Sequence, residues 1–239
     1  MEQQRSSLRD KPAARWGALA LVSLTMFFAY MFVDVLSPVK ILVEQELGWD
    51  STVFGLYGGS EFFLNVFVGF LILAGIILDK MGVRFTALLS GSLMVIGAGL
   101  KVYALSATFR NGGIGYETIS GLTGGIKNVF GWELPPTAML ASLGFMIFGC
   151  GTEMAGVTVS RAIVKWFKGK EMALAMGIEM ALARFGVFMI FRISPWLSEK
   201  FESVQAPVIF CALLLCIGLL LYVVYWFMDR ALDNELGDE

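Results

Sequence analysis

An all-α bundle of six transmembrane helices is the fold class this sequence predicts, and three observations carry the prediction. Of 239 residues, 57% are hydrophobic and 16% are charged, against about 45–50% and 25% in soluble domains. The apolar residues fall into long runs separated by short charged stretches rather than into amphipathic repeats, so the solvent they imply is a bilayer. The prolines gather at the ends of those runs, where a missing N–H does least harm.

The first run, residues 16–33, contains no charge, and the second, 51–78, carries only Glu61. The third, from 85 to about 108, is interrupted by Lys101, and the fourth, 134–160, holds Glu153 alone. The fifth, 172–191, carries Glu179 and Arg184, and the sixth, 207–228, carries nothing charged. At about 1.5 Å per residue each can cross about 30 Å of hydrocarbon. The first run is too long for a signal-peptide core and is followed by no small-residue cleavage site, so an uncleaved span is expected. Pro38, Pro135, Pro136, Pro195 and Pro207 mark span boundaries, with none expected inside a span.

Orientation follows from the basic residues. With the amino terminus cytoplasmic, the inside loops hold Arg5, Arg9, Lys11, Arg15, Lys80, Arg84, Lys165, Lys168, Lys170 and Arg230, and the outside loops only Lys40, Arg110, Lys127 and Lys200. This bias predicts both termini inside, in a plasma membrane, which for a bacterium is the inner one. The chain then divides into a cytoplasmic tail (1–14), a six-helix domain (15–228) and a second cytoplasmic tail or linker start (229–239). An external loop at about 109–134 is rich in glycine and reads as a flexible, solvated connector. Cys150, Cys211 and Cys216 all fall within predicted spans and read as packing residues. With no histidine in the chain, no metal site and no cofactor are expected. A net charge of -2, with no basic surface outside the inside loops, gives no reason to expect a nucleic-acid partner.

The most informative local signal joins the second and third runs on the inside: Gly75-Ile76-Ile77-Leu78-Asp79-Lys80-Met81-Gly82-Val83-Arg84. Gly75 allows another helix to approach, Asp79 offers a carboxylate to a helix amino terminus or a guanidinium, and Gly82 permits a tight turn. Such a loop, completed by Lys80 and Arg84, can latch one conformation. The pattern G-x-x-x-D-K-x-G-x-R in that loop resembles the signature of the major facilitator superfamily.

A second segment, Lys165-Trp166-Phe167-Lys168-Gly169-Lys170-Glu171, is followed by Ala183-Arg184-Phe185-Gly186 and preceded by Gly149-x-Gly151-x-Glu153. Together with Tyr30 and Asp34 in the first run, it resembles one branch of that superfamily. These are the lysosomal dipeptide carriers called major facilitator superfamily domain-containing protein 1, and their bacterial relatives. The glycine-rich loop departs from the branch, as does Thr152, where the branch has a glycine.

The charges inside the runs have their own logic. Each costs roughly 2.5–3.5 kcal/mol on insertion scales, so a span that keeps one turns it toward protein or a water-filled cavity. Glu153 lies about 18 Å above Lys165 and Arg184 about 20 Å above Glu171 along their helices, which puts both near the midplane. They can pair, or bind opposite ends of a zwitterion. Glu179 and Arg184 lie about 140° apart on one helix and face different ways. Tyr30 and Asp34 read equally as interface residues or as cavity lining. Glu61 and Asn65, one turn apart, suit interhelical packing or a binding or proton-relay role.

The resemblance implies one half of a twelve-helix bundle, built as two inverted three-helix repeats. It also implies a second six-helix half and a substrate held between the halves by alternating access. It further implies that Glu153 attracts a peptide's ammonium and Arg184 its carboxylate. The expected activity is movement of a small polar solute, with di- or short peptides foremost. A competing expectation is a proton-coupled organic or inorganic anion symporter, in which Arg184 binds the substrate and Glu153 takes the proton. From another class comes a transport-inactive membrane scaffold or sensor. No nucleophile with a base is apparent, so an enzyme is not expected.

Overall fold

The structure, a computed structural model, describes residues 7–237. Nine α-helices follow in order among the described residues. They are α1 (Pro12–Val33), α2 (Lys40–Leu47), α3 (Ser51–Phe67), α4 (Phe70–Ala104), α5 (Ala107–Arg110), α6 (Tyr116–Phe130), α7 (Pro136–Trp166), α8 (Met172–Phe201) and α9 (Gln205–Gly237). Short 3-10 turns cover Leu8–Asp10 and Ser37–Val39, and no strand occurs among the described residues. Residues 1–6, including Arg5 and the start of the expected tail, lie outside the described residues, as do 238–239.

Among the described residues, five stretches are long and apolar enough to cross a membrane: Pro12–Leu47, Phe70–Ala104, Pro136–Trp166, Met172–Phe201 and Gln205–Glu235. The difference from the expected six lies in the run 51–78. It breaks at Val68 and Gly69, which leaves a 17-residue α3, and its second part merges into the 35-residue α4. Within α4, Gly82 adopts φ 78° and ψ 169°, a combination essentially restricted to glycine. The signature loop thus turns at its second glycine, and residues 83–104 leave in a new direction.

Packing is reciprocal. α7 lies against α3 and α4, α1 lies against α8 and α9, and α4 also touches α9. This exchange of neighbours is the pattern that two inverted three-helix repeats would give. The α3–α7 contact depends on Gly149, where a Cβ would run into the backbone oxygen of Glu61. Beside it Tyr57 stacks on Phe145 with ring centroids 4.9 Å apart. Between α1 and α9, Thr25 donates to the Gly218 carbonyl at 3.2 Å. Such close contacts and interhelical hydrogen bonds hold helices together where lipid supplies no hydrophobic drive.

Three expectations need correction. Pro195 lies inside α8, which runs on to Phe201 rather than ending near 191. A proline is tolerated there because neighbouring helices support the freed backbone, and the adjacent Ser194 hydroxyl donates to Val35 O, just past the end of α1, at 2.6 Å. The loop expected to be flexible is largely helical, as α5 and α6. Phe109 of α5 is fully buried and meets Tyr103 and Tyr116 edge-on, an aromatic anchor that glycine content concealed. Residues 229–237, expected as a tail or linker start, continue α9.

Candidate functional site

Tyr30, near the end of α1, is the centre of the charged group expected at mid-depth. The Arg184 guanidinium lies over its ring, 5.3 Å from the centroid, within the range of a cation–π contact. Arg184, Glu153, Glu179 and Glu61 all act electrostatically on the Tyr30 hydroxyl. Among the described residues, Glu153 and Arg184 form no ion pair with each other. Glu153 is half-buried on α7 and Arg184 exposed on α8. Three carboxylates and one guanidinium thus lie within electrostatic range of the Tyr30 phenol, and among the described residues no ion pair forms between them. Glu179, half-buried, joins this group although its helix phase differs from that of Arg184.

Asp34 does not join it. It caps the end of α1 and accepts from the Ser37 hydroxyl at 3.0 Å. Its electrostatic neighbours are Tyr57, Glu61 and Lys101. Asn65 is buried and returns its amide to the Glu61 carbonyl at 3.3 Å, one turn back on α3.

Lys101 is a residue that sequence reasoning passed over. It is fully buried, and its Nζ lies 4.4, 5.0 and 4.6 Å from the ring centroids of Phe32, Tyr57 and Phe145. The ammonium has no hydrogen-bond partner, so three aromatic faces from α1, α3 and α7 take that place. Lys101→Ala is expected to cost about 3 kcal/mol by opening a cavity. Lys101→Met, which keeps the stem volume, is expected to cost under about 1.5 kcal/mol. Thermal unfolding of the two variants in one detergent checks this, and equal losses would assign the role to the charge instead.

The signature loop lies at the opposite end of the bundle from α6. Nothing among the described residues comes within 4 Å of a Cβ placed on Gly75, so the close helix approach expected there is not made among them. Asp79 meets Arg161 of α7 at 3.8 Å, both largely exposed, a contact worth little by itself. Lys80 is exposed. Arg84 is the anchored member, 3.2 Å from Asp233 and 3.8 Å from Asp229, with Trp226 beneath it.

Asp229 is the best-satisfied charge in the structure and was read only as the start of a tail. It is 1% exposed and accepts from Lys165 at 2.8 Å, Trp166 Nε1 at 3.3 Å and the Tyr225 hydroxyl at 3.1 Å. The signal was available, since buried Tyr222, Tyr225, Asp229 and Leu232 follow one helical face at steps of three and four. Beside this cluster, buried Arg15 bonds Glu171 at 3.0 Å and Lys170 bonds Asp10 at 3.0 Å. Backbone hydrogen bonding, and then Arg15, hold the Glu171 carboxyl below its usual range. The Lys170 hydrogen bond does the same for Asp10. Both groups therefore support the folded state above the ordinary carboxylate range, and that support is lost as the pH falls through their lowered values.

The family model described as Major Facilitator Superfamily matches residues 22–237. The chain belongs to the major facilitator superfamily. It is thus a multi-pass integral membrane protein, and α1–α9 form a half-bundle of that superfamily. Among its relatives, the lysosomal dipeptide transporter MFSD1 of Bos taurus is 28% identical over 192 residues, 80% of this chain and 35% of the relative. The Mus musculus protein of the same name gives the same figures. The Homo sapiens one is 27% identical over 192 residues, again 80% and 35%. The chain therefore spans about a third of the length of these relatives. The loop 75–84 and the Tyr30 group, on α1, α3, α7 and α8, both lie within the matched residues.

Proposed function

We propose that this chain is the amino-terminal half of a secondary transporter that moves di- or short peptides by alternating access. The carrying observation is the Tyr30 group: Arg184 seated on an aromatic ring, with Glu153 acting electrostatically on the same tyrosine and not paired to Arg184. An unpaired guanidinium and carboxylate at one depth suit the two ends of a zwitterion, and a guanidinium suits bidentate capture of a carboxylate. The relatives, named as dipeptide transporters, support the peptide class. A second six-helix half would complete the cavity. Thermal-shift titration of the complete protein tests the substrate class. Stabilisation by dipeptides but not by simple organic anions supports the reading, and the reverse order supports an anion symporter.

The hairpin 75–84 acts in this reading as a latch whose fixed part is Arg84, held against α9 by Asp229 and Asp233, and whose free part is Asp79. Asp79→Asn in the complete carrier is expected to slow exchange between conformations while leaving dipeptide affinity within a few-fold, since the residue lies about 18 Å from the midplane. Single-molecule distance measurements and equilibrium binding check the two halves of that statement; lost affinity with normal exchange would contradict it.

The termini and the hairpin are placed in the cytoplasm by the positive-charge bias, and the membrane is read as the plasma membrane. Cysteine introduced at Lys168 should then resist impermeant thiol reagents applied to intact cells, whereas one at Asn128 of α6 should react. Reversed labelling would overturn the orientation.

A further inference from the structure

Helix α6 has an apolar face that no part of the described chain covers. Ile119 and Thr123 are its buried residues and seat it beside α7. At about 100° per residue, Leu122 and Val129 lie about 90° round the helix from that seat, and Glu117 and Asn128 about 120° further on. Leu122 is 49% exposed, Val129 73% and Phe130 62%. The helix thus has three sides: protein, an uncovered apolar strip, and a polar strip. That division suits a helix lying in a membrane surface with the bundle at its flank.

Its tethers put it at that surface. Tyr116, the first residue of α6, packs against Phe109, which packs against Tyr103 in the last turn of α4. At the other end only residues 131–135 separate α6 from α7, a reach of at most about 18 Å. Both ends are therefore held where α4 and α7 leave the bilayer. Trp132 stacks on Phe130 at 5.3 Å and is 47% exposed, and aromatic side chains concentrate at the membrane–water boundary.

We propose that α6 is an interfacial helix whose Leu122–Val129 face lies in the lipid headgroup region on the side opposite the Asp79 hairpin. Lys127 is taken up by Glu133 at 2.6 Å, which leaves the segment no free cation to select anionic lipid. Insertion then rests on apolar area and works in neutral phosphatidylcholine. The proposal is independent of what the protein transports.

The test places a single environment-sensitive fluorophore at Leu122→Cys, Val129→Cys, Glu117→Cys or Asn128→Cys in the complete protein, with Cys150, Cys211 and Cys216 replaced, in phosphatidylcholine nanodiscs. Bromines near the top of the lipid chains should quench labels at 122 and 129 at least about threefold more than those at 117 and 128. Aqueous iodide should give the opposite order. Four labels equally open to iodide would overturn the proposal. So would labels at 122 and 129 shielded from both quenchers, because a protein surface would then cover the face. Far-UV circular dichroism and thermal unfolding of each labelled protein identify any variant that has lost its fold, and Val129→Cys, at the more exposed position, then carries the comparison with Asn128→Cys.

Discussion

Removing either charge of the Tyr30 group, by Glu153→Gln or Arg184→Ala, is expected to abolish measurable binding of zwitterionic dipeptides to the complete carrier. Loss of a buried charge-assisted contact costs about 2–5 kcal/mol, or roughly 30- to several-thousand-fold in affinity. The discriminating detail is the match between mutation and ligand end. A dipeptide with a blocked amino terminus should bind the wild type weakly but lose little more in Glu153→Gln, because each change removes one partner of the same contact. An amidated carboxyl terminus should behave likewise with Arg184→Ala. A role confined to holding helices together predicts loss of folded protein in both variants and no such matching. Glu153 and Arg184 are not within ion-pair distance of each other, so each should be removable without exposing the other to a new vacancy.

Asp229→Ala is expected to give the largest loss of stability of any single substitution on the hairpin side, about 3–5 kcal/mol. The carboxylate is 1% exposed and serves Lys165, Trp166 and Tyr225, so its removal leaves the buried Trp166 and Tyr225 donors without their acceptor, while Lys165 keeps Asp233 at 2.6 Å. Asp229→Asn keeps an acceptor and should cost less, whereas Asp233→Ala, at a half-exposed site, should cost under about 1 kcal/mol. Chemical or thermal unfolding of the three variants in one detergent gives the order. Equal losses for Asp229 and Asp233 would show that the cluster acts as a surface charge field.

The membrane class, the hairpin and the positions of most spans were legible because hydrophobic runs and a glycine–aspartate loop are local patterns. The continuous run 51–78 hid the break at Val68 and Gly69, since apolarity reports on lipid exposure and not on backbone direction. Pro195 misled for a related reason: a local rule placed it at a helix end, while α1 supported the helix through it by tertiary contact. In α6 the seven glycines of the external segment outweighed an apolar stripe at positions 119, 122, 126 and 129, which a helical period would have revealed. The site was legible in part. Arg184 and Glu153 stood out as lone charges, and their depth agreed, but the seat of Arg184 on Tyr30 depends on how α1 and α8 cross. Lys101 was visible only as an interruption, because an aromatic cage is assembled from three distant segments. Asp229 was lost to the habit of reading a charged carboxy-terminal stretch as solvated.

The central claim is that the half-bundle contributes the Tyr30 group to a dipeptide carrier, and counterflow in proteoliposomes of the complete protein tests it most directly. Vesicles preloaded with unlabelled dipeptide should accumulate labelled dipeptide transiently and saturably. Free dipeptides should compete, single amino acids and doubly blocked dipeptides should not, and Arg184→Ala vesicles with folded protein should show no overshoot. Labelled dipeptide that fails to accumulate in wild-type vesicles able to exchange an organic anion would contradict it, as would an undiminished overshoot in Arg184→Ala.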